Sequence, residues 1–166
     1  GSISTAGFET RYESELANDF GNLASRSLAM VSRYRDGLVP DSTVDPMLAA
    51  DFDGIVGRVS ALLDEAQISQ ALEEIWVVVR RMNRYVEETQ PWVLAKDEGD
   101  AERLDQVLYN LVEGLRILTL LLHPYLPESS EVLAAALGQS GLGLEDFGSR
   151  GGGQSVERIE PLFPKL

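Results

Sequence analysis

LRILTLLLHPYLP, residues 115–127, is apolar on nearly every side of the helix that it predicts. A helix without a polar face has to be surrounded by other elements of the fold. The segment forms the second half of a predicted helix from about Ala101 to Leu122, and Pro124 and Pro127 prevent that helix from continuing. We therefore expect this helix at the buried centre of a helical bundle.

Four further helices are predicted from apolar residues that recur every three or four positions. They cover about Glu9 to Asp36, Asp45 to Ala66, Ile68 to Thr89 and Ser129 to Leu137. The second of them begins with a capping residue, Asp45, and with Pro46 in the first helical position. Gly54 and Gly57 lie inside it and either weaken it or indicate close packing. The last has serines available as caps and ends at Gly138.

The sequence contains no strand-like alternation of any length and no internal repeat. We expect residues 139–166 to form a glycine-rich loop and then an extended tail that packs Leu162 and Phe163 on the bundle. The sequence therefore predicts one domain over residues 1–166, with a helical core at about 8–138. Its fold class is all-α, a roughly antiparallel bundle of about five helices.

The composition excludes several classes of protein. Cysteine is absent, which rules out disulfide bonds, thiol nucleophiles and cysteine-ligated zinc and is compatible with the cytoplasm. No apolar run approaches the roughly 20 residues of a membrane span. The net charge of −13 argues against nonspecific coating of nucleic acid, which depends on neutralising phosphates. Any contact with nucleic acid would have to come from local clusters of arginine, such as Arg26, Arg33 and Arg35 or Arg80, Arg81 and Arg84.

Three features are partial matches to catalytic or ligand-binding motifs, and none supports such a site. The glycine run 151–153 neither follows a predicted strand nor precedes a helix with Lys and Ser or Thr, so it predicts a linker. DFDG, residues 51–54, matches the start of a calcium loop, but Val56 and Val59 occupy later ligand positions. His123, the only histidine, lies at a helix end. We expect no catalytic residue, metal site or cofactor site in this chain.

Two other features can bind a partner. In GNLASR, residues 21–26, Asn22 and Arg26 are four residues apart and share one helix face. An amide and a guanidinium so placed can bind base edges, although spacing alone is more typical of a polar pair on a helix surface. In NRYVEETQPWVLAK, residues 83–96, Pro91 should end the preceding helix. Trp92 is then either a core plug, which its position alone favours, or an exposed ring on which a base can stack.

Four segments together resemble a known family in the order in which that family carries them. They are ELANDFGNLASRSLAMVSRY, NRYVEETQPWVLAK, VLYNLVEGLRILTLLLHPYLP and EPLFPKL. The family is the C-terminal anticodon-binding domain of bacterial methionyl-tRNA synthetase, a class I aminoacyl-tRNA synthetase. The resemblance runs from about Phe8 to Phe163, nearly the whole chain.

The resemblance implies a helical domain that binds the CAU anticodon of methionine tRNA. It assigns base contacts to Asn22 and Arg26 of the NLxxR segment, and stacking on the first anticodon base, cytosine, to Trp92. It matches Glu87 with an acidic residue implicated in anticodon discrimination and Asn83 with a position facing that region. Pro91 would set the turn that presents the ring. Apart from the resemblance, Arg33, Arg80 and Arg84 could provide a positive rim beside an exposed Trp92.

The chain also departs from the whole enzyme of that family. It has no HIGH-type and no KMSKS-type sequence, both of which the family uses to bind ATP and form methionyl-adenylate. We therefore expect a fragment, or a standalone relative, that cannot aminoacylate by itself. ATP and zinc would belong to the catalytic half of the same polypeptide. The extension that promotes dimerisation in some members is absent, so we expect a monomer.

Two alternatives remain open from the sequence. One is a helical protein-interaction domain that keeps the fold without the RNA site. The other is the related helical domain of a class I synthetase for cysteine, leucine or valine. The PW segment after NRYV favours methionine.

Overall fold

The computed structural model describes the backbone of residues 2–138, 147 and 155–157, and the side chains of residues 14–128, 130–138, 147 and 155–157. Its α-helices are α1 (Ser2–Arg35), α2 (Pro46–Phe52), α3 (Ile55–Asp64), α4 (Ile68–Thr89), α5 (Pro91–Leu94), α6 (Ala101–Leu122) and α7 (Pro127–Ala136). A 3-10 helix, Glu98–Asp100, precedes α6. Five of these α-helices have ten or more residues. The prediction of an all-α bundle of about five helices is confirmed.

The helix α6 is the buried centre of the bundle, as its sequence predicted. Every residue from 107 to 122 is buried, and α6 contacts α1, α4, α5 and α7. Two of its buried polar side chains form hydrogen bonds within the helix, since Arg116 Nε donates to Glu113 Oε2 at 2.7 Å and Thr119 Oγ1 donates to the Leu115 carbonyl at 2.6 Å. The burial of α6 fixes the positions of the helices that surround it.

Side-chain pairs between helices give their directions. Arg35 at the end of α1 is 2.6 Å from Asp105 near the start of α6, so these two helices are antiparallel. On α1 and α4, Asp19 accepts from Asn83 and Arg26 pairs with Glu87, so these two helices run in the same direction. The long helices α1 and α4 therefore run in one direction and α6 runs in the other, and α1 and α4 lie side by side.

The segment predicted as one helix from Asp45 to Ala66 is two helices, α2 and α3. Gly54 between them has φ 72°, in the left-handed region that favours glycine. Gly57, by contrast, lies within α3, where nothing is near enough to touch an added Cβ. The two glycines that looked alike in sequence thus differ, because only Gly54 makes a turn.

Other helix ends differ in smaller ways. The helix α1 begins at Ser2 rather than near Glu9. The predicted serine cap of the last helix is wrong, because α7 begins at Pro127 after Leu126, with no side-chain cap. Ser130 Oγ is buried and has no hydrogen-bond partner among the described residues. The expected loop and tail contacts of Leu162 and Phe163 lie outside the described residues.

None of the helices described is both long enough and apolar enough to cross a bilayer.

Candidate functional site

The helices α1 and α4 each carry a polar stripe, and the two stripes meet at Asp19 and Arg26 of α1. On α1 the stripe contains Asp19, Asn22, Arg26 and Arg33, which recur at spacings of three, four and seven residues. On α4 it contains Trp76, Arg80, Asn83 and Glu87, at spacings of four, three and four residues. Both stripes lead toward the end of α4 and the turn that carries Trp92.

An exposed ion pair joins the two stripes. Arg26 Nη2 donates to Glu87 Oε1 at 2.9 Å, and the two side chains are 41% and 62% exposed. Exposed pairs of this kind contribute only about 0–1 kcal/mol to stability. Two predicted site residues, 61 positions apart in sequence, are therefore brought into direct contact. Their ion pair is weak enough for a ligand to replace it.

Asn83 and Asp19 hold the stripes together one turn before that ion pair. Asn83 Nδ2 donates to the Asp19 carbonyl at 3.3 Å, and Trp76 Nε1 donates to Asp19 Oδ2 at 2.7 Å. The Asn83 side chain is half-buried, and its amide N–H donates a hydrogen bond to the neighbouring helix. Asn83 therefore positions α4 against α1.

Asp19 and Trp76 were not predicted to be residues of this region. Their signal was the same spacing that selected Asn22 and Arg26, since Asp19 lies three residues before Asn22, and Trp76 lies seven before Asn83. Asp19 on α1 and Trp76 on α4 are hydrogen-bond partners on different helices, so no local sequence pattern connects them.

The turn between α4 and α5 fixes the base of Trp92. Gln90 has φ 48° and ψ 66°, an uncommon conformation for a residue other than glycine, and its N–H donates to the Val86 carbonyl at 2.9 Å. Pro91 follows as the buried first residue of α5. The sequence correctly predicted that α4 ends before Pro91, but Pro91 also begins a new helix of four residues.

Trp92 is one of the exposed large apolar side chains, with 36% of its surface accessible. The next residue, Val93, is 45% exposed. No described residue accepts a hydrogen bond from the indole N–H. The interpretation of Trp92 as a core plug, which its position alone favoured, is therefore wrong, because the buried Pro91 rather than Trp92 anchors the turn.

Three further predicted residues are exposed on α1 and α4. The side chains of Asn22 and Arg84 have no hydrogen bond or ion pair with any described residue. Arg33 is exposed at the end of α1, with its guanidinium carbon 5.9 Å from the Tyr34 ring centroid. The amide of Asn22 and the guanidinium groups of Arg33 and Arg84 are thus available to a ligand.

A buried network centred on Asp45 supports α4 from the opposite side. Tyr85 Oη and Arg103 Nη1 each donate to Asp45 Oδ2 at 2.7 Å, and the Met47 N–H donates to Oδ1 at 3.0 Å. The Asp45 N–H donates to Asn110 Oδ1 at 2.9 Å. Asp45 is therefore the predicted cap of α2 and also links α2, α4 and α6.

Ionisation in this network is set by burial and hydrogen bonding. Burial, the largest single influence on Asp45, favours its protonated form, but the donors Tyr85, Met47 and Arg103 and the Arg103 charge together lower its pKa below the ordinary 3.8. Burial and the hydrogen bond to Asp45 raise the pKa of Tyr85 well above its ordinary value. A charged Asp45 beside a neutral Tyr85 is a stable structural arrangement at neutral pH.

The structure gives no support to metal chemistry in the described residues. There, no three His, Asp or Glu side chains are placed to hold an ion. DFDG covers the last two residues of α2 and the two-residue break before α3. His123 Nε2 lies 3.7 Å from Glu131 Oε1, a contact between the end of α6 and α7.

Comparison with known proteins gives consistent matches. A family model described as "Anticodon binding domain of methionyl tRNA ligase" matches residues 40–147. That range includes Glu87 and Trp92 but not Asn22 and Arg26 on α1. Longer alignments with individual relatives include α1.

Among curated relatives, the methionine–tRNA ligase of Caldanaerobacter subterraneus subsp. tengcongensis is 39% identical over 100% of this chain and 27% of its own length. That of Clostridium perfringens is 37% identical over 96% of this chain and 26% of its own length. The chain therefore spans about a quarter of these relatives.

Among solved structures, apo methionyl-tRNA synthetase of Mycobacterium tuberculosis superposes with a TM-score of 0.85 and is 36% identical, covering 95% of this chain and 34% of that one. The same enzyme with methionyl-adenylate gives a TM-score of 0.82 and 35% identity. The family model, the relatives and the fold agree, and this chain belongs to the family of anticodon-binding domains of methionyl-tRNA ligases.

Proposed function

We propose that this chain binds the anticodon loop of methionine tRNA, with the anticodon CAU, as one part of a longer methionine–tRNA ligase. In this proposal Trp92 stacks on the first anticodon base, and Asn22 and Arg26 donate hydrogen bonds to base edges. The observation that carries it is the exposed indole of Trp92 on a turn anchored by the buried Pro91.

Stacking suits this arrangement because an unpaired base needs a flat ring that is already in place. Gln90 and Pro91 restrict the backbone before Trp92, so little conformational freedom is lost when a base stacks. Stacking of a base on an aromatic side chain contributes about 1–3 kcal/mol to binding. The neighbouring Val93 extends the apolar surface that a base would cover.

The polar residues of the two stripes would add selectivity. Asn22 has no partner among the described residues, and Arg26 is held only by its exposed pair with Glu87. A base can therefore replace Glu87 at small cost, whereas a base without matching acceptors leaves Glu87 in place. Glu87 is in this way suited to anticodon discrimination.

The net charge of −13 opposes RNA, so we expect weak binding by this chain alone. In the longer ligase, the catalytic half would bind ATP, and zinc where present, and would supply further tRNA contacts. We propose that the protein acts as a monomer in the cytoplasm. Gel filtration at micromolar concentration, with elution at the mass of one chain, would test the monomer.

The first prediction concerns Trp92→Ala. The variant should bind a CAU anticodon stem-loop about 5- to 150-fold more weakly, the range that corresponds to loss of one base stack. Trp92→Phe should retain part of the affinity because it keeps a ring. Fluorescence anisotropy of a labelled stem-loop measures both variants. Val132→Ala, an exposed apolar side chain on α7, is the matched control and should change nothing.

The same titration with the first anticodon base changed tests the specificity. Wild type should prefer the CAU loop, and Trp92→Ala should bind that loop more weakly. Equal binding of both loops by wild type, or an unaltered affinity of Trp92→Ala for the CAU loop, would overturn the proposal. It would then favour the alternative of a protein-interaction domain that keeps the fold without the RNA site.

A further inference from the structure

The arginines of this chain divide into two groups. Nine arginine side chains are described, and six of them lie within 4.0 Å of a carboxylate. These six are Arg26, Arg35, Arg58, Arg81, Arg103 and Arg116. The other three, Arg33, Arg80 and Arg84, pair with no carboxylate among the described residues, and we name them the open arginines. The chain has 27 acidic and 14 basic residues, so a shortage of acidic residues does not explain why these three arginines are unpaired.

Arg84 has no carboxylate partner because its acidic neighbours on α4 pair with other arginines. Glu87 and Glu88 lie three and four residues after it on α4, within reach of its side chain. Glu87 pairs with Arg26 at 2.9 Å, and Glu88 pairs with Arg81 at 2.8 Å. Both carboxylates are therefore occupied by other arginines, and the guanidinium of Arg84 remains exposed.

Arg80 is held by an aromatic ring instead of an acid. Its guanidinium carbon lies 5.0 Å from the centroid of the Trp76 ring, which is itself fixed by the 2.7 Å hydrogen bond to Asp19. A guanidinium over an aromatic face keeps its N–H donors free at the edge. Arg80 is thus oriented while its donors remain available to an anion.

Arg80 and Arg84 are also four residues apart on one helix. Like charges at this spacing destabilise a helix. Arg33 lies seven residues after Arg26 on α1, with its guanidinium carbon 5.9 Å from the centroid of the Tyr34 ring. The three open arginines therefore lie on the two helices that carry Asn22 and lead to Trp92.

We propose that the open arginines bind phosphates of the RNA backbone on either side of the anticodon, without reading its sequence. This inference rests on the proposed function and deepens it. A guanidinium with free edges matches the geometry of a phosphate and can donate two parallel hydrogen bonds. The paired arginines are less suited, because a phosphate would first have to displace a carboxylate. In an acidic chain these three positive charges define where the backbone can approach.

The test separates phosphate contacts from base contacts by their salt dependence. Removing one phosphate contact weakens binding equally for all loop sequences and lowers the slope of log K against log salt by about one. Arg80→Gln and Arg84→Gln should each bind the CAU stem-loop and the loop with a changed first base about tenfold more weakly. Each should lower the slope by about one, and the double variant by about two.

Two controls accompany these variants. Arg58→Gln on α3 removes the same charge from an exposed arginine that is paired with Glu74, and it should leave the slope unchanged. Arg80→Lys and Arg84→Lys keep the positive charge and should keep the slope while losing some affinity. Far-UV circular dichroism establishes that each variant is folded.

The outcomes distinguish this inference from the proposed function. Unchanged slopes in Arg80→Gln and Arg84→Gln, with Trp92→Ala still impaired on the CAU loop, overturn the phosphate contacts alone. A loss confined to the CAU loop also overturns them, since it would assign base contacts to these residues. Lowered slopes together with an unimpaired Trp92→Ala support the phosphate contacts and contradict the anticodon stacking.

Discussion

Asp45 shows how much of a single residue's role its local sequence contains. Its place before Pro46 predicted a helix cap, and the cap is present. Its contacts with Tyr85, Arg103 and Asn110 come from residues 40, 58 and 65 positions away. A cap is a property of three or four consecutive residues, whereas this network requires the packed bundle. The sequence could therefore predict the first role and not the second.

Asp45→Asn should destabilise the fold by about 2–3 kcal/mol at pH 7. An asparagine amide in either orientation places a donor against Met47 N–H or against Tyr85 and Arg103, and a buried donor is left unsatisfied. Urea unfolding followed by circular dichroism measures the change. Asp64→Asn, at the exposed end of α3, is the control and should cost under about 0.5 kcal/mol.

The contribution of Asp45 to the stability of the fold depends on pH, and the sign of that dependence follows from its pKa. Because the folded pKa of Asp45 lies below its ordinary 3.8, its ionisation stabilises the fold above that value, and the contribution is lost as pH falls through the folded pKa. The difference in stability between wild type and Asp45→Asn should therefore narrow below about pH 4. A difference that stays constant down to pH 2 would contradict this account of Asp45.

Among the elements, the helices with a continuous apolar stripe and a clear stop were predicted best. The predicted bounds of α4 and α6 agree with the structure. The prediction failed where glycine decided the backbone, since Gly54 and Gly57 gave the same signal in sequence. It also missed α5, because four residues are too few for a helical period to be recognised.

Replacing each of these two glycines with alanine should have opposite effects. Gly54→Ala forces a side chain into φ 72° and against Arg58, and should destabilise by about 1–2 kcal/mol. Gly57→Ala lies in an open helical position, and should stabilise by about 0.5–1 kcal/mol. Thermal unfolding of both variants should show a lower melting temperature for Gly54→Ala and a higher one for Gly57→Ala. Stabilisation by Gly54→Ala would show that α2 and α3 are one continuous helix in solution.

In the molecule as a whole, the sequence selected residues for the candidate site but did not predict the contacts between them. Arg26 and Glu87 were both selected, but their ion pair depends on α1 and α4 lying side by side in the same direction. Asp19 and Trp76 were missed for the same reason. Local periodicity specifies which residues share one face of a helix. Only the packing of the bundle specifies which face of the neighbouring helix lies against it.

The acidic charge of the whole molecule leads to a last prediction, about salt. A net charge of −13 repels itself in the compact state, and raising NaCl from about 10 to 150 mM shortens the range of charge interactions from about 30 to 8 Å. The melting temperature should therefore rise, by about 2–4 °C for each kcal/mol gained.

Binding of the CAU stem-loop should weaken over the same range of salt concentration, because the open arginines lose attraction to phosphate. Circular dichroism melts and anisotropy titrations in matched buffers measure both, and choline chloride should reproduce the rise if screening causes it. A melting temperature that falls with salt would mean that the surface ion pairs outweigh the repulsion among the excess carboxylates.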